Sequence, residues 1–278
     1  MKIAAIQMVS TPSVERNLEA ARRLIAQAAA AGAQLVALPE YFCLMGRSDR
    51  DKLAVAESPG TGPIQTVLAQ AAREHGVWLI GGTVPLASAD PHRVLNSNCV
   101  YAPDGQRVAR YDKIHLFRYD NSRERYDEGV AIQAGATPTS FELTCAGSAP
   151  LRVGLSVCYD LRFPELYRAL MFTPGQPACD LLSVPSAFTY TTGVAHWELL
   201  LRARAVENQC YVIAAAQGGQ HENGRRTYGH SMVVDPWGKV LGVLPEGEGL
   251  VLADFDPACL AAVRKQLPAL EHSRLALR

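Results

Sequence analysis

Short apolar runs alternate along this chain with longer segments whose apolar residues recur every three or four positions. The first kind reads as buried strands and the second as amphipathic helices. Residues 2–8 alternate as a strand, and Asn17 to Ala31 is an Ala-rich helix closed by Gly32. Gln34 to Leu38 is a short buried strand, Pro63 to His75 an amphipathic helix, and Val77 to Gly81 the next strand. Strands near Ser97–Tyr101 and Gln106–Arg110 flank Pro103-Asp104-Gly105, a hairpin turn. Lys113 to Gly135 is polar, charged and aromatic and reads as a long loop, a feature that is often functional in compact domains.

Strands near Phe141 and over Arg152–Val157 lead into a helix from Phe163, and a Pro/Gly-rich connection precedes the strand Asp180–Val184. His196 to Asn208 is helical, with Leu199, Leu200, Ala203 and Val206 on one side. Tyr211–Ala216, Ser231–Val234, Lys239–Val243 and Leu250–Phe255 are strands, and Pro257–Gln266 is a final helix. Strands that alternate with helices predict an α/β fold, and the hairpins make its sheets mixed. No linker divides the chain, so residues 1–268 form one expected domain, with 269–278 as a C-terminal tail.

Composition narrows the partners. Lys plus Arg and Asp plus Glu both total 27, so nothing electrostatic favours nucleic acid or an anionic membrane, and the substrate is expected to be small. No apolar run approaches the ~20 residues of a membrane helix, and the first residues begin directly as a strand. Seven cysteines without metal-type pairs fit reduced thiols and a cytoplasmic location better than a disulfide framework or zinc site.

Three residues stand just past apolar strands: Glu40 after Leu35–Leu38, Lys113 after Arg110-Tyr111-Asp112, and Cys158 after Arg152–Val157. Each could be a surface charge or, for the cysteine, a small packed side chain. Together they are the parts of a nucleophilic amide-cleaving site. An amide is a poor electrophile with a poor leaving group, and a thiol with pKa ~8.5 needs a nearby base or cation. Glu40 can take the thiol proton, return it to the leaving amine and later activate water. Lys113 and the backbone N–H of Tyr159 can stabilise an oxyanion. This chemistry calls for no metal and no organic cofactor. A Cys–His dyad through His196 or His230 is disfavoured, because neither lies in a turn that presents an imidazole.

The motifs Leu38-Pro39-Glu40, Tyr111-Asp112-Lys113-Ile114-His115 and Val157-Cys158-Tyr159-Asp160-Leu161-Arg162-Phe163-Pro164-Glu165 resemble those of the nitrilase, or carbon–nitrogen hydrolase, superfamily. The likeness runs to about Pro268. It implies a four-layer αββα sandwich, and roles of base for Glu40, oxyanion stabiliser for Lys113 and acylated nucleophile for Cys158. It also implies a second glutamate in the long loop that holds the lysine. Glu128 matches, with Asp127 and Glu124 as neighbouring alternatives.

Pro185-Ser186-Ala187-Phe188, the segment Thr192–Tyr211 and Tyr228-Gly229-His230-Ser231-Met232 resemble the Nit branch, which contains ω-amidases and deaminated glutathione amidases. The Ser186 and Tyr228–Met232 forms are similar to the second group. Other expectations within the superfamily are ω-amidase, N-carbamoyl amide and, last, nitrile hydrolysis; an idle scaffold is the non-enzyme alternative. Tyr159, Phe117, Phe188 and Thr192 are candidate pocket residues. Arg162 is a candidate for a substrate carboxylate, or equally a structural partner of Asp160 or Glu165. The resemblance further implies a homodimer or higher homo-oligomer, with the helix Ala195–Asn208 and the C-terminal tail as candidate interface. Packing of Leu199, Leu200 and Val206 within the chain is the alternative.

Overall fold

The computed structural model describes residues 1–122, 125–145 and 149–275. Two mixed sheets face one another. The first has the order Gly249–Asp254, Lys2–Gln7, Leu35–Ala37, Trp78–Ile80, Val94–Tyr101, Val84–Ala87, with Arg107–Asp112 and Ile132–Gln133 also paired to Val94–Tyr101. The second runs Thr139–Leu143, Leu151–Leu155, Leu181–Ser183, Tyr211–Ala214, Ser231–Val234, Val240–Leu244.

The strand alternation explains the layering. In Lys2–Gln7, Ile3 and Ala5 join the core between the sheets, together with Val153, Leu155 and Leu181 of the second sheet. Ala4 and Ile6 point the other way, onto Leu24 and Ile25 of the helix Val14–Ala30 and Leu68 of the helix Pro63–His75. On the far side of the second sheet lie Leu166 and Leu170 of the helix Pro164–Met171 and Trp197 and Leu201 of the helix Tyr190–Asn208. The result is the expected αββα sandwich. No helix among the described residues is long and apolar enough to cross a membrane.

Several expectations need correction. The segment 113–135 is not a bare loop. It holds the two-stranded ribbon Arg118–Asp120/Arg125–Asp127, a 3₁₀ turn at Glu128–Val130, and a two-residue strand, Ile132–Gln133, parallel to Val94–Tyr101. These pieces are too short and polar to show periodicity. The long helix begins at Tyr190 rather than His196, because Thr191, Thr192 and Gly193 are weak helix formers that hide its start. Its buried side is Trp197, Leu201, Arg204, Ala205 and Asn208, so Leu199 and Val206 are exposed rather than packed within the chain. The strand Val84–Ala87 escaped notice because of Pro85, which is tolerated here since this strand is at the sheet edge.

The sheets matter for function because the strands Leu35–Ala37, Arg107–Asp112, Leu151–Leu155 and Leu181–Ser183 deliver residues 40, 113, 158 and 187 to one place. Two glycines permit close passage behind them. A Cβ on Gly82, at φ +59, would collide with the Pro39 carbonyl oxygen; one on Gly135 would collide with that of Asp112. Gly82→Ala is therefore expected to destabilise by about 2 kcal/mol or more. Urea melts would show it, and an unchanged midpoint would mean that the turn carrying Glu40 has slack.

Candidate active site

Glu40, Lys113 and Glu128 form a buried array. Lys113 Nζ donates to Glu40 Oε1 at 2.8 Å and to Glu128 Oε1 and Oε2 at 3.0 and 2.8 Å. The lysine is fully buried and Glu40 nearly so. A charged group out of water needs a partner for each donor, and the two carboxylates supply them. Each carboxylate is satisfied in turn. Glu40 accepts from Asn96 Nδ2 at 2.9 Å and from the Ala187 backbone N–H at 3.0 Å. Glu128 accepts from the Tyr41 hydroxyl at 2.6 Å and from the Phe117 backbone N–H at 2.7 Å.

Among the alternatives for the second glutamate, Asp127 is excluded by position. Its side chain caps the 3₁₀ turn by accepting from Gly129 N–H and lies 3.8 Å from the exposed Arg118. Glu124 lies outside the described residues. Glu128 is the carboxylate that reaches Lys113.

Cys158 opens a 3₁₀ turn, Cys158–Arg162, directly beyond the strand Leu151–Leu155. Its φ is +51°, a left-handed conformation that costs a non-glycine residue of order 1 kcal/mol and lifts the side chain off the sheet. Tyr41, immediately after Glu40, is in the same region at φ +56°. The Cys158 N–H donates to Pro185 O at 2.9 Å, which ties the turn to the neighbouring strand end.

Asp160 ties it to the lysine's segment. This buried carboxylate accepts from Val157 N–H, the Tyr111 hydroxyl and the His115 N–H, and pairs with His115 Nδ1 at 2.7 Å. The His115 ring stacks on Phe163 with centroids 3.6 Å apart. Sequence reasoning missed Asn96, Tyr41 and this Asp160 knot. Tyr41 and Asp160 each adjoin a motif residue, but Asn96 is an ordinary strand position with no local signal.

The thiol borders a narrow cleft, about 10 Å³ in volume, with Phe117, Tyr159, Ala187, Phe188, Thr189 and Thr192. Four of the five expected pocket residues therefore line it. Arg162 stands beside them, with Cζ 5.2 Å from the Phe188 ring centroid and 5.9 Å from that of Tyr159. Asp160 is committed elsewhere, and Arg162 forms no ion pair with it or with Glu165 among the described residues. Its Nη1 lies 3.2 Å from His196 Nδ1, so the expected structural pairing gives way to a guanidinium over the cleft wall.

Electrostatics define the resting protonation. Burial pushes the Cys158 thiol well above its ordinary value, and the Glu40 charge adds to this, with Lys113 opposing. Cys158 therefore rests as a thiol. Burial also works against both charged forms in the array. Even so, the glutamates hold the Lys113 ammonium above its usual pKa, and Lys113 with its hydrogen bonds holds Glu128 below the usual carboxylate value.

A depressed carboxylate contributes stability that is present above its unfolded value and lost as pH falls through the folded one. A raised lysine contributes below its unfolded value and loses this as pH rises through the folded one. From about pH 5 to 10 both contributions are therefore in place. Lys113→Met leaves burial unopposed at Glu128, so that carboxyl moves up and its stabilisation is lost as pH rises. The variant is expected to be about 3–5 kcal/mol less stable than wild type at pH 8, with a smaller deficit at pH 5. Paired urea melts test this; a deficit equal at both pH values would mean the lysine is not the carboxylates' charge partner.

Comparison with known proteins matches this geometry to a family. The carbon–nitrogen hydrolase family model matches residues 2–265. A deaminated glutathione amidase of Synechocystis sp. is 41% identical over 271 residues, covering 97% of this chain and 96% of its own. The Homo sapiens protein of the same name is 41% identical over 276 residues, covering 98% and 82%. The crystal structure of Saccharomyces cerevisiae Nit3, a member of branch 10 of the nitrilase superfamily, superimposes with a TM-score of 0.84 at 28% identity, over 96% and 94% of the two chains. The buried Glu–Lys–Glu array beside a strand-end thiol thus sits in a chain that belongs to the carbon–nitrogen hydrolase family, whose members are amidohydrolases among its named relatives.

Proposed function

We propose that this carbon–nitrogen hydrolase is a thiol amidase that cleaves the amide of deaminated glutathione, an α-keto acid joined through its γ-carbonyl to cysteinylglycine. The observation that carries the reading is the buried ammonium of Lys113 between Glu40 and Glu128, beside a protonated Cys158. The names of the relatives favour this substrate.

In the proposed mechanism the Cys158 sulfur adds to the amide carbonyl while its proton passes to Glu40. Negative charge develops on the carbonyl oxygen and is stabilised by the Lys113 ammonium and the Tyr159 N–H. Collapse breaks the C–N bond as Glu40 returns the proton to the leaving nitrogen, leaving a thioester on Cys158. Glu40 then deprotonates water, which attacks the thioester; the C–S bond breaks and the sulfur recovers a proton. Glu128 holds Lys113 in place. Phe117, Tyr159, Phe188 and Thr192 wall the acyl group, and Arg162 meets the keto-acid carboxylate.

Cys158→Ala is expected to lower kcat by at least about 10⁴-fold, and Glu40→Gln by about 10²–10³-fold. Release of cysteinylglycine and α-ketoglutarate from deaminated glutathione reads both, with ammonia release from α-ketoglutaramate alongside. Faster turnover of the second substrate would make the enzyme an ω-amidase; turnover of neither by wild type would overturn the substrate reading.

The reading puts the enzyme in the cytoplasm, where its seven cysteines, none of them in a disulfide, stay reduced, and makes it a homodimer. Support for a dimer comes from the helix Tyr190–Asn208, which presents Val194, Leu199 and Val206 to solvent opposite its buried side. Leu199→Asp with Val206→Asp is expected to shift sedimentation from dimer to monomer. A wild-type monomer at micromolar concentration would sink the assignment.

A further inference from the structure

A second, larger cleft lies next to the thiol's own and has no role in the steps above. It has a volume of about 320 Å³ and is bordered by Tyr41, Leu44–Asp49, Lys52, Arg125, Tyr126 and Asn223–Arg225. Its charge is one-sided: Arg47, Lys52, Arg125 and Arg225 face Asp49 alone among the described residues of its lining.

Two of these cations are built into the fold. Lys52 is only 6% exposed, sits 4.6 Å above the Tyr41 ring centroid, and has its one ion pair with Asp49 at 3.5 Å. Arg225 lies 4.9 Å over the Tyr126 ring and forms no salt bridge among the described residues. Its Nε is buried and makes no hydrogen bond. An unsatisfied buried guanidinium N–H and an under-paired buried ammonium are costly to hold, and a bound anion would satisfy both. The turn that carries Arg225 is braced across the cleft by Asn223 Nδ2, which donates to Gly46 O at 2.6 Å.

The position of the cleft selects which part of a substrate reaches it. Phe117 lines the thiol's cleft, and its ring is 5.8 Å from that of Tyr126, which lines the cationic one. Ala187 of the first cleft packs in one apolar cluster with Tyr41 and Met45 of the second. Tyr41 directly follows Glu40, the group that protonates the leaving nitrogen, and its hydroxyl holds Glu128. The leaving side of the amide therefore faces Tyr41, while the acyl side faces Arg162.

We propose that this cleft is a leaving-group subsite, in which Lys52 and Arg225 bind the terminal carboxylate of a peptide-like amine attached to the scissile amide. This rests on the amidase reading above and extends it: the enzyme selects amides whose departing amine is an anionic dipeptide over those that release ammonia or a neutral amine.

The test compares deaminated glutathione with the same molecule capped as its glycinamide, in wild type, Lys52→Met and Arg225→Gln. A charge-assisted contact predicts that wild-type kcat/KM favours the free acid by about 10-fold or more, and that each variant brings this ratio towards one. The ratio is internal to each protein, so a partial loss of folded enzyme cancels. Inhibition by cysteinylglycine is expected to weaken by a similar factor in the variants. A wild-type preference that survives both substitutions overturns the subsite and leaves the amidase reading standing, as does equal turnover of the two compounds by wild type. Turnover of neither overturns the reading and this inference together.

Discussion

A lysine ammonium with no exposure to water organises this molecule. Burying such a charge alone would be prohibitive, so Lys113 is tolerable only because Glu40 and Glu128 both reach it. Two carboxylates around one ammonium leave a net negative site, which then has to be contained by neutral donors: Asn96, Tyr41 and the backbone N–H groups of Phe117 and Ala187. Each donor comes from a different segment. The electrostatic requirement of one side chain thus fixes the relative placement of five chain segments, and it does so without a flexible partner. Burial first, and then the Glu40 charge, hold the Cys158 thiol well above its ordinary pKa against the opposing pull of Lys113, which protects a buried thiol from adventitious chemistry.

Backbone geometry serves that arrangement. The sheets end their strands where the apolar runs end, and at two of those ends the next turn takes a left-handed residue, Tyr41 and Cys158. Such residues persist only where surrounding contacts outweigh the local cost. At Cys158 those contacts are the Pro185 carbonyl and the Asp160 knot, which fastens the turn of Cys158 to the segment that carries Lys113. Asp160 is not among the residues lining the thiol's cleft, yet it ties the backbone before Cys158 to the residues on either side of Lys113.

Legibility in the sequence followed from the same physics. Glu40, Lys113 and Cys158 could be read because each breaks an apolar run at a strand end, and Glu128 because a family pattern singles out a glutamate before glycine. The helix Pro63–His75 and the helix Pro257–Gln266 were readable to the residue, since a proline starts each. What could not be read depends on tertiary contact. Asn96 is one polar residue in a strand of polar and apolar residues, and only the fold turns it toward Glu40. The apolar face of Leu199 and Val206 has the periodicity of a core face; that it looks outward follows from Trp197 and Leu201 occupying the other side. The ribbon Arg118–Asp120/Arg125–Asp127 leads directly to Glu128, whose carboxylate is anchored on Lys113 and the Phe117 N–H, a contact that no local propensity signals.

The net charge of the array also constrains any substrate. An amide that carries carboxylates is repelled by Glu40 and Glu128 as it approaches, at distances where the low-dielectric surroundings make the repulsion count. The Lys113 ammonium offsets only part of that charge, so further cations on the approaches to the array would favour such a substrate. The chain has them in two places: Arg162 over the wall of the thiol's cleft, and Lys52 with Arg225 beyond Tyr41. Each is propped on an aromatic ring, which holds the charge in position; among the described residues, Lys52 alone of the three also has an ion pair, with Asp49. A substrate anionic at both ends would meet a cation on either side of Cys158, whereas one anionic at a single end would meet only one of them.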